Sequence, residues 1–175
     1  YGAAARGGDV VYASSCATGR ITRLMVADVA GHGQAVAGTA ADLRLLMRRF
    51  VNTLDHTELV GHLNRQFAAL PTQAAFATAV VATYFAPTRR LTLCNAGHPR
   101  PLIYRAATGE WRFLSNDPSP RATGPRNLPL GILDIADYDA SDVELQEGDC
   151  VLAYTDALME AQDADGEMLG EEGVL

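Results

Sequence analysis

Cysteine is scarce in this chain and widely spaced. Cys16, Cys94 and Cys150 are odd in number and no two stand at C-x-x-C spacing. That pattern argues against a disulfide scaffold or a zinc knuckle, and for a reducing, cytoplasmic compartment. Positive charge is short as well: Lys plus Arg number 14 against 21 Asp plus Glu, a net charge of −7. A nucleic-acid partner would need a basic footprint, and none is present. No apolar run approaches the roughly 18 residues of a membrane span, and no signal-peptide pattern opens the chain. There is no G-x-S-x-G, Ser14 and Ser15 have no evident base, and no cysteine stands in a setting that would activate it. Covalent catalysis is therefore disfavoured. What is present is ordinary: 175 residues, 48% hydrophobic and 20% charged, enough for one domain over 1–175 with a single core.

The sequence is organised around Val26-Ala27-Asp28-Val29-Ala30-Gly31-His32-Gly33. An apolar run from Ile21 delivers one carboxylate into a glycine turn, and a helical period starts beyond it. Asp28 either caps that turn or presents a charged oxygen at the rim of the core. Two other places share the construction: Gly7-Gly8-Asp9 before Val10-Val11-Tyr12, and Val151 to Asp156 before Ala157-Leu158. A turn at Ala17–Arg20 predicts a hairpin of Val10–Ala13 with Ile21–Val29. Val36, Ala40, Leu43, Met47 and Phe50 predict one helix. Asp55, three residues before Glu58, caps a second with the stripe Leu59, Leu63, Phe67 and Leu70. Residues 75–155 read as strands: Phe76–Phe85 with Leu91–Asn95, then Pro101–Tyr104 with Trp111–Leu114. An irregular excursion spans 116–127. Leu128–Ile132 then re-enters the core, Val143–Leu145 alternates, and Cys150–Thr155 reads as a fully buried strand. Hairpins with two adjacent helices on one side predict a layered α+β fold.

Asp9, Asp28 and Asp156 each close a strand end beside a small residue. Three such acids repel one another unless a cation neutralises them, although strand-end acids are also common surface features. An all-oxygen set favours Mg²⁺ or Mn²⁺, and two such ions would orient water and neutralise phosphoryl oxygens. The net acidity makes the same point, because a phosphate ligand would need cations to be held here. His32 and His98 each follow a glycine. Each ring can position water or a ligand, or pack as a neutral spacer between loops. Arg44, Arg48 and Arg49 form a solvated helix face that an acidic or phosphorylated partner could use.

Gly7-Gly8-Asp9, Asp28 to Gly33, Asn95-Ala96-Gly97-His98-Pro99, Leu130-Gly131 and Tyr154 to Ala161 follow one another in the order of a known family. The chain resembles the SpoIIE-like branch of the metal-dependent protein phosphatases, the PPM or 2C type. That resemblance implies a four-layer α-β-β-α sandwich with two central antiparallel sheets. It also implies hydrolysis of phosphoserine or phosphothreonine through water oriented by two Mn²⁺ or Mg²⁺ ions. Asp28 would bridge the metals and the Val29 carbonyl would be a backbone ligand. Asp156 would serve the second ion and Asp9 the opposite side. Gly8, Gly31, His32, Gly33, Asn95, Gly97 and His98 would build the supporting loops, and Asp163 and Asp165 are further candidate acids. The implied substrate is a phosphorylated STAS-type anti-sigma-factor antagonist, with an upstream sensor domain in the longer protein. The resemblance further implies that an N-terminal edge strand and a closing C-terminal helix lie outside these 175 residues. Two departures stand out: Tyr12 occupies the place of the family's second acid, and Ala157 that of a glycine. They open an alternative, a catalytically weak or inactive module of the same fold that binds a STAS-type or kinase-like partner.

Overall fold

The computed structural model describes residues 7–31, 34–71, 76–114, 125–162 and 164–175. Its frame is a five-stranded antiparallel sheet in the order β1-β2-β3-β4-β7. The strands are β1 (Asp9–Ser15), β2 (Ile21–Val29), β3 (Ala77–Phe85), β4 (Arg90–Ala96) and β7 (Ala140–Glu144). β-Branched and small apolar residues alternate along them, so each strand offers two faces. One face, with Val10, Met25, Ala27, Val29, Ala77, Ala79, Val81 and Cys94, is buried with the helices. The other, with Val80, Ala82, Leu91 and Leu93, is buried with Val151 and Leu114 of the second layer.

The helices are α1 (Gln34–Phe50) and α2 (His56–Ala68). The expected stripes are the ones buried: Val36, Ala40, Leu43 and Met47 on α1, and Leu59, Leu63 and Phe67 on α2. Asp55 caps α2 by accepting the Glu58 N–H at 2.9 Å, the contact that the Asp55-to-Glu58 spacing anticipates. Arg44 and Arg48 are exposed on α1.

Two buried polar side chains tie these layers together, and no periodicity announces them. Arg23 of β2 donates to Thr83 Oγ1 at 2.7 Å, to the Thr53 carbonyl at 2.8 Å and to the Val51 carbonyl. Asn64 of α2, fully buried, accepts from the Gly131 N–H at 2.9 Å and donates to the Leu133 carbonyl at 2.8 Å. His56, at the start of α2, is half-buried, and burial pulls its pKa down to about 4.

The second sheet is three-stranded, β6-β5-β8, from β5 (Leu102–Arg105), β6 (Glu110–Phe113) and β8 (Cys150–Leu152). With the helices α3 (Asp156–Met159) and α4 (Gly170–Gly173), the architecture is the expected α+β fold with two central antiparallel sheets and flanking helices. One expectation fails. β8 is three residues long and not fully buried: Cys150 is exposed and Leu152 is 41% exposed. It pairs with β5 alone, so only its inward Val151 reaches the core. The irregular excursion read at 116–127 falls mostly outside the described residues, as do His32, Gly33 and Asp163. No helix among the described residues is long and apolar enough to cross a membrane.

Candidate functional site

Register brings the strand-end acids together. Asp9 of β1 lies directly opposite Asp28 of β2, and Asp28 lies opposite Thr78 of β3. Directly paired residues point to the same face, so these three side chains form a row across one end of the sheet. Ala79 bridges to Gly97 next to that row. Asp156 arrives from the other layer, at the start of α3 just after β8. A pocket of about 470 Å³ opens between Asp28 and Asp156, lined also by Thr78 and Gly97, with Phe76, Pro99 and Met159 as an apolar rim; Asp9 lies outside this lining.

The backbone around Asp28 is tightly specified. The Val29 N–H donates to the Gly8 carbonyl at 3.0 Å. A Cβ placed on Gly8 would sit 2.2 Å from the Val29 carbonyl oxygen and 2.6 Å from Asp28 Oδ1. Only glycine permits that approach, and any side chain would displace the two oxygens at once. Gly31 follows with φ +115°, a value that L-residues rarely adopt.

The Asn95–Pro99 turn is the second wall. Asn95 clamps it, accepting the His98 N–H at 2.7 Å and donating to the His98 carbonyl at 2.9 Å. Gly97 has φ +65°, and a Cβ there would lie 2.6 Å from the Pro129 ring. His98 is 5% exposed, with Nδ1 2.8 Å from Thr78 Oγ1. Burial holds its pKa below the ordinary histidine range, against smaller opposing effects of the Tyr154 backbone, Asp156 and Asp9.

The electrostatics centre on Asp28. Its pKa is pushed up to about 6, first by burial, then by the charges of Asp156, Asp9 and Glu160. Glu160 was not among the expected residues, although it stands four after Asp156, the spacing that puts two side chains on one helix face. Thr78 was missed too, as its place beside Asp28 depends on strand register. Asp165 lies between Gln162 and Met168, outside the pocket lining. Among the described residues no group of three or more His, Cys, Asp or Glu side chains is drawn close enough to hold a metal ion. In kind, however, the donors suit a hard divalent ion: mutually repelling carboxylates beside a backbone carbonyl.

A family model for Stage II sporulation protein E (SpoIIE) matches residues 18–175. The chain belongs to the SpoIIE family. Its fold is that of the PPM, or 2C-type, phosphatases. The domain is 25% identical over 142 residues to the phosphoserine phosphatase RsbP of Bacillus subtilis, covering 78% of this chain and 33% of RsbP. It is 27% identical to a structure of the RsbU and RsbW domains of Rv1364c from Mycobacterium tuberculosis, with TM-score 0.77, covering 93% of this chain and 43% of that one. A structure of the catalytic domain of the serine/threonine phosphatase PstP with two manganese ions matches at 20% identity and TM-score 0.61. The match covers 98% of this chain and 84% of that one, a likeness of fold. The SpoIIE-family domain therefore spans a third of RsbP and less than half of the mycobacterial chain.

Proposed function

We propose that this SpoIIE-family domain is a metal-dependent protein serine/threonine phosphatase acting on a phosphorylated STAS-type partner. The observation that carries the reading is the convergence of acids from two layers: Asp28, set opposite Asp9 by strand register, shares one pocket with Asp156. Burial and the charges of Asp156, Asp9 and Glu160 raise the Asp28 pKa in keeping with that arrangement. Acids gathered at such cost to themselves are characteristic of sites that take a cation. Asp28, the Val29 carbonyl, Asp156 and Asp9 are the residues that would hold Mn²⁺ or Mg²⁺. Bound there, the ions would lower the pKa of water and neutralise phosphoryl oxygens.

The chain's own residues supply the rest. Gly31, which lines the pocket, keeps its wall free of a side chain where a phosphate must approach, while Gly8 fixes the Asp28–Val29 backbone from behind. Phe76, Pro99 and Met159 offer an apolar rim to the polypeptide that carries the phosphate. RsbP, the phosphoserine phosphatase among the relatives, supports the substrate class.

A second reading has its own observation. The described acids are not drawn into a three-ligand cluster, and Tyr12 and Ala157 depart from the family pattern. On present geometry that favours a catalytically weak or inactive module that binds a STAS-type or kinase-like partner. Phosphate release from a phosphoserine protein, with Mn²⁺ and with EDTA, separates the two. Activity that needs Mn²⁺ supports the phosphatase. Activity surviving in chelator would refute the metal route, and none in either condition would leave the binding module.

A further inference from the structure

Asp28 and Asp156 belong to different layers of the fold. Asp28 ends a strand of the five-stranded sheet, and Asp156 follows the short edge strand β8 of the other sheet. β8 pairs with β5 only through Leu152, Val151 and Cys150. From Ala153 to Asp156 the chain has left its ladder, so something else must set where Asp156 stands relative to Asp28.

His98 stands next to that end of the sheet, against the cross-strand neighbour of Asp28. It is 5% exposed and is fixed by its own turn, with Asn95 bonded to both its N–H and its carbonyl. One ring nitrogen, Nδ1, meets Thr78 Oγ1 at 2.8 Å, and Thr78 is the cross-strand neighbour of Asp28. The other, Nε2, is buried with no hydrogen-bond partner. The Tyr154 backbone is near enough to favour the protonated ring, yet Nε2 makes no hydrogen bond to it. A neutral imidazole has one donor and one acceptor. If the Thr78 hydroxyl donates to Nδ1, the proton sits on Nε2, and a buried donor of that kind is costly unless it finds an acceptor. The Tyr154 carbonyl, two residues before Asp156, is the acceptor to hand. Tyr154 is itself buried, so pulling on its backbone pulls on the entry to α3.

We propose that His98 is a positioning residue, a strut from Thr78 to the Tyr154 backbone that sets the separation of Asp28 and Asp156. The strut acts on the site described under Proposed function and rests on that reading for its consequence, the fit of a cation, but not for its existence. It gives the buried ring a task other than contact with substrate.

The test uses the whole 175-residue chain in EDTA and reads amide hydrogen exchange. The Leu158 N–H bonds to the Thr155 carbonyl and the Glu160 N–H to the Asp156 carbonyl, so both report on this segment. The Leu59 N–H, bonded to the Asp55 carbonyl, is the control on α2. T78V and H98Q should each speed exchange at Leu158 and Glu160 by about fivefold or more and leave Leu59 unchanged, while T78S restores protection. Unchanged exchange at Leu158 and Glu160 would overturn the proposal. So would equal acceleration at Leu59, which would mean general loosening. Acceleration in H98Q alone would overturn it too, since the ring would then act by bulk and not through Thr78. T78V keeps the test decisive should H98Q fail to fold. A Mn²⁺ titration followed by calorimetry runs alongside, with about a tenfold weaker Kd expected in T78V than in wild type. If the wild type takes up no Mn²⁺, the proposed phosphatase reading fails, while the exchange data still decide the strut.

Discussion

Replacing Asp28 with Asn should stabilise the protein in chelator and abolish its response to Mn²⁺. Asn keeps the volume of Asp and removes the charge. The Asp28 pKa stands at about 6 against an ordinary 3.8. At 1.36 kcal/mol per unit that is about 3 kcal/mol of penalty on the ionised form, and partial exposure to solvent reduces it to about 1–2 kcal/mol. The sign follows from proton counting. Between the two values the folded protein holds a proton that the unfolded chain has released, so stability falls as pH rises. The penalty is absent below the ordinary value and complete above about 6. In EDTA at neutral pH, Asp28→Asn should therefore melt higher by about 2–8 °C, at roughly 2–4 °C per kcal/mol for a domain of this size. The gap should close as pH is lowered towards 4. Mn²⁺ at about 100 times its Kd would add about 2.7 kcal/mol to the wild type and nothing to the mutant, so the order of melting should invert. Differential scanning fluorimetry of both proteins, with EDTA and with Mn²⁺ at two pH values, reads all of this. An Asp28 that only caps the turn would instead cost about 0.5–2 kcal/mol when lost, in metal or out of it. Equal Mn²⁺ shifts in the two proteins, or a mutant that melts lower in EDTA, would refute the reasoning.

Gly8→Ala should cost about 1–3 kcal/mol and weaken Mn²⁺ uptake, because its Cβ would collide with a carbonyl and a carboxylate that are both fixed; chemical denaturation and calorimetry check the two effects, and wild-type behaviour in both would count against the close approach. A carboxyl-carbon NMR titration should find the Asp28 midpoint near 6, moved down further by Asp156→Asn than by Glu160→Gln, in the order of their contributions; the reverse order would mean that the site is arranged differently. Asn64→Ala should destabilise by about 2–4 kcal/mol in urea, since it empties a fully buried site and leaves the partly buried Gly131 N–H and Leu133 carbonyl without their partner. Arg23→Ala should cost a similar amount, about 2–4 kcal/mol, by stranding Thr83 and the Thr53 carbonyl; a loss below about 0.5 kcal/mol would show that water replaces the guanidinium.

Much of the fold could be read from local pattern, because period and turn chemistry are local properties. The α1 and α2 stripes, the Asp55 cap and the first three hairpins needed only neighbours within a few residues. The candidate site was legible where glycine marked it: Gly8, Gly31 and Gly97 all stand where a Cβ has no room or φ is positive. Thr78 was not legible. Nothing in its own segment distinguishes it, and it matters only because β3 pairs with β2 in the register that sets Thr78 against Asp28, fifty residues away. Asn64 and Arg23 failed to show for a related reason: a polar residue on a helix or strand reads as solvent-facing until the partners that bury it are known. β8 was misread because an apolar run of strand length does not say how many neighbours the strand will have.

Register also explains why a buried arginine belongs in the account of an acidic pocket. Side chains alternate along β2, so Asp28 faces the pocket only while Ala27 and Val29 face the helices. A slip of one residue against β1 or β3 would turn Asp28 into the helix layer and carry Ala27 to the rim. Small apolar residues near the site end of β2 do little to prevent this, because Ala27, Ala77 and Ala79 offer similar surface in either register. Arg23 does prevent it. Five residues before Asp28, it lies on the helix face with its guanidinium bonded to Thr83 and to the loop between α1 and α2. A slip would pull that charge from its partners and expose the apolar face to water, a cost of several kcal/mol. Gly8 locks the other end, since its approach to Val29 exists in one register only. The carboxylate is thus aimed by two contacts at opposite ends of its strand, neither of which touches the pocket's contents.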